Sequence, residues 1–184
     1  MRDPAEQLDF WKCKLDTSRW RTAVDIALSR LLLSVVYRTG FITCLPRRFG
    51  SIIRARLERT WANHSNNFNP YAWRLLLGET RPALEPPSAP IRFACEDAAT
   101  YLENSKPASF DAFSLSNIAD GAPSSYVERL HRAVQRAGTP GAVVVTRSFA
   151  EPNRAIDTSL AARDRSMIWG TVHVTNARNL CSTF

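Results

Sequence analysis

At 184 residues, with 45% hydrophobic and 22% charged composition, the chain is long enough for one domain with a proper core and too apolar to be disordered. The formal charge of +7 is uneven: residues 1–60 hold 12 Lys/Arg against 6 Asp/Glu and the remainder 12 against 11, so the positive excess belongs to the front of the chain. The cysteines at 13, 44, 95 and 181 are too scattered for a disulfide framework, His64, His131 and His173 are not at metal-ligand spacing, and no zinc-finger or aromatic ribonucleoprotein signature supports nucleic-acid binding.

Residues 1–18 are polar with Phe10 and Trp11 embedded and read as an irregular lead-in. Trp20, Ala23, Val24, Ala27, Leu28, Leu31, Leu32 and Val35 then follow the 3.6-residue period, with Thr17 or Ser18 as N-cap, predicting one long helix. Its wide apolar stripe is expected to face the core rather than lie on a membrane, although the two are not exclusive. Gly40 and Pro46 break the pattern, and Phe49, Ile52, Ile53, Leu57 and Trp61 mark a second helix. Arg47, Arg48, Arg54, Arg56 and Arg59 surround it, expected as a solvated face, with phosphate or lipid headgroup docking as the alternative. Asn69, Pro70 and Gly78 bound a third short helix.

Pro82, Pro86, Pro87 and Pro90 make residues 79–90 a stiff connector, dividing a basic helical segment (1–85) from an α/β unit (86–184). In that unit Ile91 to Cys95 reads as a strand and Asp97 to Glu103 as a helix. Phe113 and Leu115 alternate with polar residues in a further strand, which stops at Asp120, Gly121 and Pro123. Ser125 and Glu128 form a capping box for a helix carrying Val127, Leu130, Val134 and Ala137, and Gly138 is expected as its left-handed terminator. After a Thr139-Pro140-Gly141 turn, the run from Ala142 to Val145 reads as a strand buried on both faces, giving a right-handed parallel β-α-β unit. A short helix before Arg165 and a strand over Met167 to Thr175 complete the reading.

Ligands of such sheets bind beyond the carboxyl ends of the strands. Three exits follow: Glu96 and Asp97, then Ser116 to Asp120, then Arg147 to Glu151. Asp111 belongs to the opposite edge. The segments "IRFACEDAATYL", "SFDAFSLSNIADG" and "PGAVVVTRSF" resemble the second half of a class I S-adenosylmethionine-dependent transferase. More narrowly, "LSNIADG", "NPYAWRLLLG" and "FWKCKLDTSRWR" are similar to the DUF3419 family, which includes bacterial enzymes moving a 3-amino-3-carboxypropyl group from S-adenosylmethionine to diacylglycerol in betaine-lipid synthesis.

The resemblance implies an incomplete Rossmann-like, methyltransferase-like sheet, preceded by the helical segment. It implies Asp97, Ser116 and Asn117 for cofactor binding, Asp120 as the base for the acceptor hydroxyl, and Arg147 and Glu151 on the substrate; the residues themselves leave open that Asp97 only caps the following helix, that Asp120 bonds back onto its own Asp-Gly turn, and that Arg147 pairs with Glu151 alone. Members also carry an upstream Gly-containing cofactor loop and an acidic residue for the ribose. The seven glycines here include no Gly-x-Gly pair. The expectation is therefore the C-terminal portion of such an enzyme, binding S-adenosylmethionine only with a complementing N-terminal segment. The alternative is a non-catalytic binding or structural module with a basic helical surface.

No basic n-region with an apolar core follows Met1, and the run from Ile26 to Val36 includes Arg30 and is too short to span a bilayer. Together with the scattered thiols this leads to the expectation of a cytoplasmic protein, with a basic front suited to peripheral contact with the inner membrane face.

Overall fold

The computed structural model describes residues 3–37, 40–79, 88–151 and 155–180. The lead-in is helical rather than irregular. Asp3 accepts a hydrogen bond from the Ala5 amide at 2.9 Å, Pro4 opens helix α1 (Pro4–Phe10), and α1 runs directly into a π-helical turn, Trp11–Leu15. The reason is burial. Gln7 donates to the Trp61 and His64 carbonyls, each at 2.6 Å, and Trp11 packs edge-on against Trp61 with ring centroids 4.2 Å apart.

The long helix expected from Trp20 to Val35 is two helices, α2 (Ser18–Ala27) and α3 (Arg30–Val36). Thr17 caps the first, accepting from the Trp20 amide. Ser29 interrupts the pattern and caps the second through the Leu32 amide. The core reading of their stripe is also corrected: neither helix contains a fully buried residue, and Leu31 is 80% and Val35 70% exposed.

A short helix α4 (Phe41–Cys44) leads to α5 (Phe49–Asn63), the axis of the helical part. Gly50 lets α2 touch α5 backbone to backbone, because a Cβ there would collide with Val24 and Asp25. Leu57 and Trp61 form one core with Trp11, Ala72 and Met167. Helix α6 (Pro70–Leu77) is capped by Asn69 and ends on left-handed Gly78, as its sequence foretells. The division placed at 85/86 falls between residues outside those described.

Beyond it, the strand expected at Ile91 to Cys95 is absent. Residues 88–97 are exposed and pair with no described strand, and Phe93 is 94% exposed. Asp97 caps α7 (Ala98–Asn104), and β1 (Phe110–Leu115), α8 (Ser124–Ala137) and β2 (Gly138–Ser148) follow. The capping box does not form, since Ser125 already lies inside α8. Gly138 is extended (φ −76°, ψ 144°) and starts β2 at once, so there is no intervening turn. Its missing side chain is needed for packing: a Cβ would sit 3.0 Å from the Val134 carbonyl and 3.1 Å from both Ala142 and Ala177.

Helix α9 (Ala155–Arg163) and strand β3 (Thr171–Asn176) finish the unit. The mixed sheet has the order β1-β2-β3, with β1 and β2 parallel and β2 and β3 antiparallel. Leu130, Val134 and Ala137 of α8 and Ala99 and Leu102 of α7 cover Phe113, Leu115, Ala142 and Val144. At about 25 cal/mol per Å² of apolar surface removed from water, this is the main source of the unit's cohesion. The opposite face is covered only in part, where α9 packs on β3. Val143 (45% exposed) and Val174 (46%) are left open, so β2 is buried on one face rather than two. No helix among the described residues is long and apolar enough to cross a membrane.

Candidate functional site

The carboxyl ends of β1 and β2 open toward the helical front. On leaving β1 the chain passes Ser116, makes a single tight turn over Asn117–Ala119, and reaches Asp120 and Gly121. Gly121 has φ 81°, a conformation glycine adopts without strain. It also lies flat against Gly40 and Phe41: a Cβ there would fall 2.5 Å from the Phe41 nitrogen. The loop after β1 and the start of α4 are thus packed backbone against backbone.

Asp120 joins the two strand exits. Its Oδ1 accepts from the Ser148 hydroxyl at 2.6 Å and its Oδ2 from the Phe149 amide at 2.9 Å. The side chain therefore bridges neighbouring strand ends rather than turning back on its own Asp-Gly turn. Between this bridge and the helices lies a cavity of about 690 Å³. Asn117, Ile118, Asp120 and Gly121 form its sheet side, and Leu28, Leu33, Tyr37, Phe41, Leu45 and Phe49 its helical side, with Phe149 between them. The Phe149 ring lies 5.5 Å from Phe41, 6.0 Å from Phe49 and 4.7 Å from Trp169, all inclined contacts of the kind aromatic pairs prefer. An apolar, aromatic chamber with one carboxylate and one amide at its edge suits a ligand with an apolar body and a single polar end.

The exit of β2 is held by α5. Arg56 is buried and donates to the Phe149 carbonyl (2.9 Å), the Ile168 carbonyl (2.9 Å) and the Glu151 carboxylate (2.7 Å). Gly170 leaves the room the guanidinium occupies. Arg59 donates to the Trp169 carbonyl at 2.9 Å. Burial holds both arginines below the ordinary guanidinium value, opposed in each case by the charge of Glu151. The solvated-face reading of the α5 arginines is thus corrected for these two, whose fixed forks collect carbonyls that the strand and loop ends leave unpaired. Arg54 instead pairs with Asp25 at 2.6 Å.

Of the residues named from sequence, Asn117 and Asp120 meet in the cavity, while Asp97, Ser116, Arg147 and Glu151 do not line it. Asp97 accepts from the Thr100 amide at 2.9 Å and from the Tyr126 hydroxyl at 2.8 Å. The Thr100 amide foremost, then Tyr126, holds its carboxyl below the usual range. Burial, reinforced by Asp97, pushes the Tyr126 phenol up. Arg147 donates to Asp164 at 3.0 Å and to Ser114 at 3.3 Å rather than to Glu151. Among the described residues, Asp97 and Ser116 therefore do not share with Asn117 the lining of this cavity. His131 and His173 are both buried, and burial lowers the imidazole of His131.

The aromatic wall was not foreseen. Phe149 falls inside an exit marked from sequence, but nothing local ties it to Tyr37, Phe41 or Phe49, about a hundred residues upstream. Comparison with known proteins adds nothing to this geometry: no family model matches the chain, and neither a curated protein nor a solved structure does.

Proposed function

We propose that the chain is the acceptor-holding, C-terminal portion of an S-adenosylmethionine-dependent 3-amino-3-carboxypropyltransferase acting on diacylglycerol. Its incomplete Rossmann-like sheet is completed by strands from outside these residues. The reading is carried by the apolar, aromatic cavity at the carboxyl edge of β1 and β2, with Asp120 at its rim. Two further features agree with it: β1 has no neighbour on its outer side among the described residues, and the sheet face bearing Val143 and Val174 is only partly covered.

In such a transfer the donor, held with the completing strands, supplies an electrophilic carbon on a sulfonium that departs neutral. This chain's part is to bury the acyl portion of the acceptor among Phe41, Phe49 and Phe149, aim its free hydroxyl at the cavity rim, and exclude water. Asp120 takes the hydroxyl proton on a carboxylate lone pair left unused by Ser148 and Phe149.

The chain should bind 1,2-dioctanoylglycerol saturably in a tryptophan-fluorescence titration, because Trp169 touches Phe149. It should show no saturable S-adenosylmethionine binding by calorimetry. Failure to bind the glycerolipid, or micromolar binding of S-adenosylmethionine, overturns the reading. A second reading, a non-catalytic lipid-binding module, is favoured by one observation: both Asp120 oxygens already accept structural hydrogen bonds. The two separate in cells expressing the chain and fed carboxyl-labelled methionine. An enzyme places label in a glycerolipid and loses it in Asp120→Asn; a module places none.

A further inference from the structure

The cavity's helical wall has an outer surface unlike that of a water-facing helix. Leu33 of α3 points into the cavity, while Leu31, Val35 and Val36 on the same helix are 80%, 70% and 67% exposed. Ile26 at the end of α2 extends the strip at 61%. A short helix presenting apolar side chains to solvent is costly unless something covers them.

Beside this strip lies a second groove of about 560 Å³, which shares Leu28 and Phe49 with the first cavity and is lined by Arg30 and Arg48. Arg30 spends one nitrogen on the Leu45 carbonyl at 2.5 Å. Arg48 makes no side-chain hydrogen bond or ion pair among the described residues and is held at φ 57°, a left-handed conformation uncommon for a residue with a side chain. Among the described residues Asp25 is the one carboxylate lining the groove, and it is already paired with Arg54. An apolar strip with guanidinium groups beside it that pair with no carboxylate among the described residues, in the part of the chain that carries the positive excess, matches a surface that is apolar inside and anionic at its rim.

We infer that α3 and the end of α2 seat the protein on an anionic lipid leaflet, with Leu31, Val35 and Val36 in the acyl boundary and Arg30 and Arg48 on headgroup phosphates. This placement brings the membrane surface to the helix whose Leu33 lines the apolar cavity. The inference stands on the exposed strip and the arginine groove and does not depend on the transferase reading.

The test is co-sedimentation of the 184-residue chain with vesicles of phosphatidylcholine alone, or containing roughly one-third phosphatidylglycerol. Binding is expected only to the anionic vesicles and should weaken with added salt. Leu31→Glu/Val35→Glu should lower the partition coefficient at least about tenfold. Arg30→Gln/Arg48→Gln should remove the preference for anionic lipid. Leu31→Ser/Val35→Ser, checked by circular dichroism, serves if the charged pair perturbs folding. Equal binding to both vesicles, no binding to either, or a dimer in the ultracentrifuge that Leu31→Glu/Val35→Glu converts to monomer without any vesicle binding, each overturns the inference.

Discussion

Arg56 and Glu151 meet at 2.7 Å although they lie 95 positions apart, and only the arginine is buried. The side chains are 4% and 58% exposed, so the pair is a buried cation whose counter-charge sits at the surface. Its role is to satisfy the carbonyls of Phe149 and Ile168 where β2 ends and the chain returns toward β3.

Arg56→Ala should therefore cost about 3 kcal/mol in urea unfolding, as two half-buried carbonyls lose a charged donor and the buried space of the guanidinium is emptied. Arg56→Lys should recover only part of it, because an ammonium cannot span two carbonyls and a carboxylate in one plane. Glu151→Gln should cost under about 1 kcal/mol, since its carboxylate is largely solvated.

The two left-handed glycines should separate. At Gly78 (φ 70°) an added methyl would meet nothing within 4 Å, so Gly78→Ala should cost only about 1 kcal/mol of backbone strain. At Gly121 the same strain is joined by collision with Gly40 and Phe41. Thermal unfolding of Gly121→Ala should show a loss at least twice that of Gly78→Ala.

Acid should weaken the fold in two stages. Burial holds His131 below its ordinary 6.5. The unfolded chain therefore binds this proton first, and stability begins to fall as pH drops through about 6.5. Asp164 lies below its ordinary 3.8: burial, the largest single influence, pushes it up, but hydrogen bonds from Ser166 and Arg147 together prevail. A depressed carboxylate contributes stability above its unfolded value and loses it as pH falls through the folded one, so this second stage lies below about pH 4. Denaturant midpoints measured between about pH 8 and 2 should show both stages, with Asp164→Asn flattening the lower.

Asp120 should matter more to the fold than Ser148. Asn at position 120 turns one acceptor into a donor facing either the Ser148 hydroxyl or the Phe149 amide, at a cost of about 1–3 kcal/mol. Ser148→Ala removes the hydroxyl, with its bond to Asp120 and the one it accepts from the Ala150 amide, but keeps the Phe149 amide bond to Asp120, and should cost about 1 kcal/mol in the same unfolding assay.

Local signals in the sequence were reliable where the determinants are local. Thr17, Asn69, Pro70 and Gly78 bound their helices as read, and Val144 and Phe113 lie in adjacent parallel strands. The misreadings share a cause: periodicity says that a face is apolar, not what covers it. Leu31 and Val35 keep perfect helical spacing yet face solvent, and Ile91 to Cys95 has strand composition but no partner among the described residues. That Asn117 and Asp120 lie at the cavity was legible because both leave the carboxyl end of β1. Phe41 and Phe49 were not, because only tertiary folding brings them to Phe149.

The unclaimed outer side of β1 carries a consequence for handling the protein. Among the described residues nothing pairs with that edge, and an unpaired strand edge next to a sheet face that leaves Val143 and Val174 open is a template for stacking one molecule on the next. Concentrated samples should grow cross-β assemblies that bind thioflavin, and a single lysine replacing Ala112 on that rim should delay their onset without shifting the melting point.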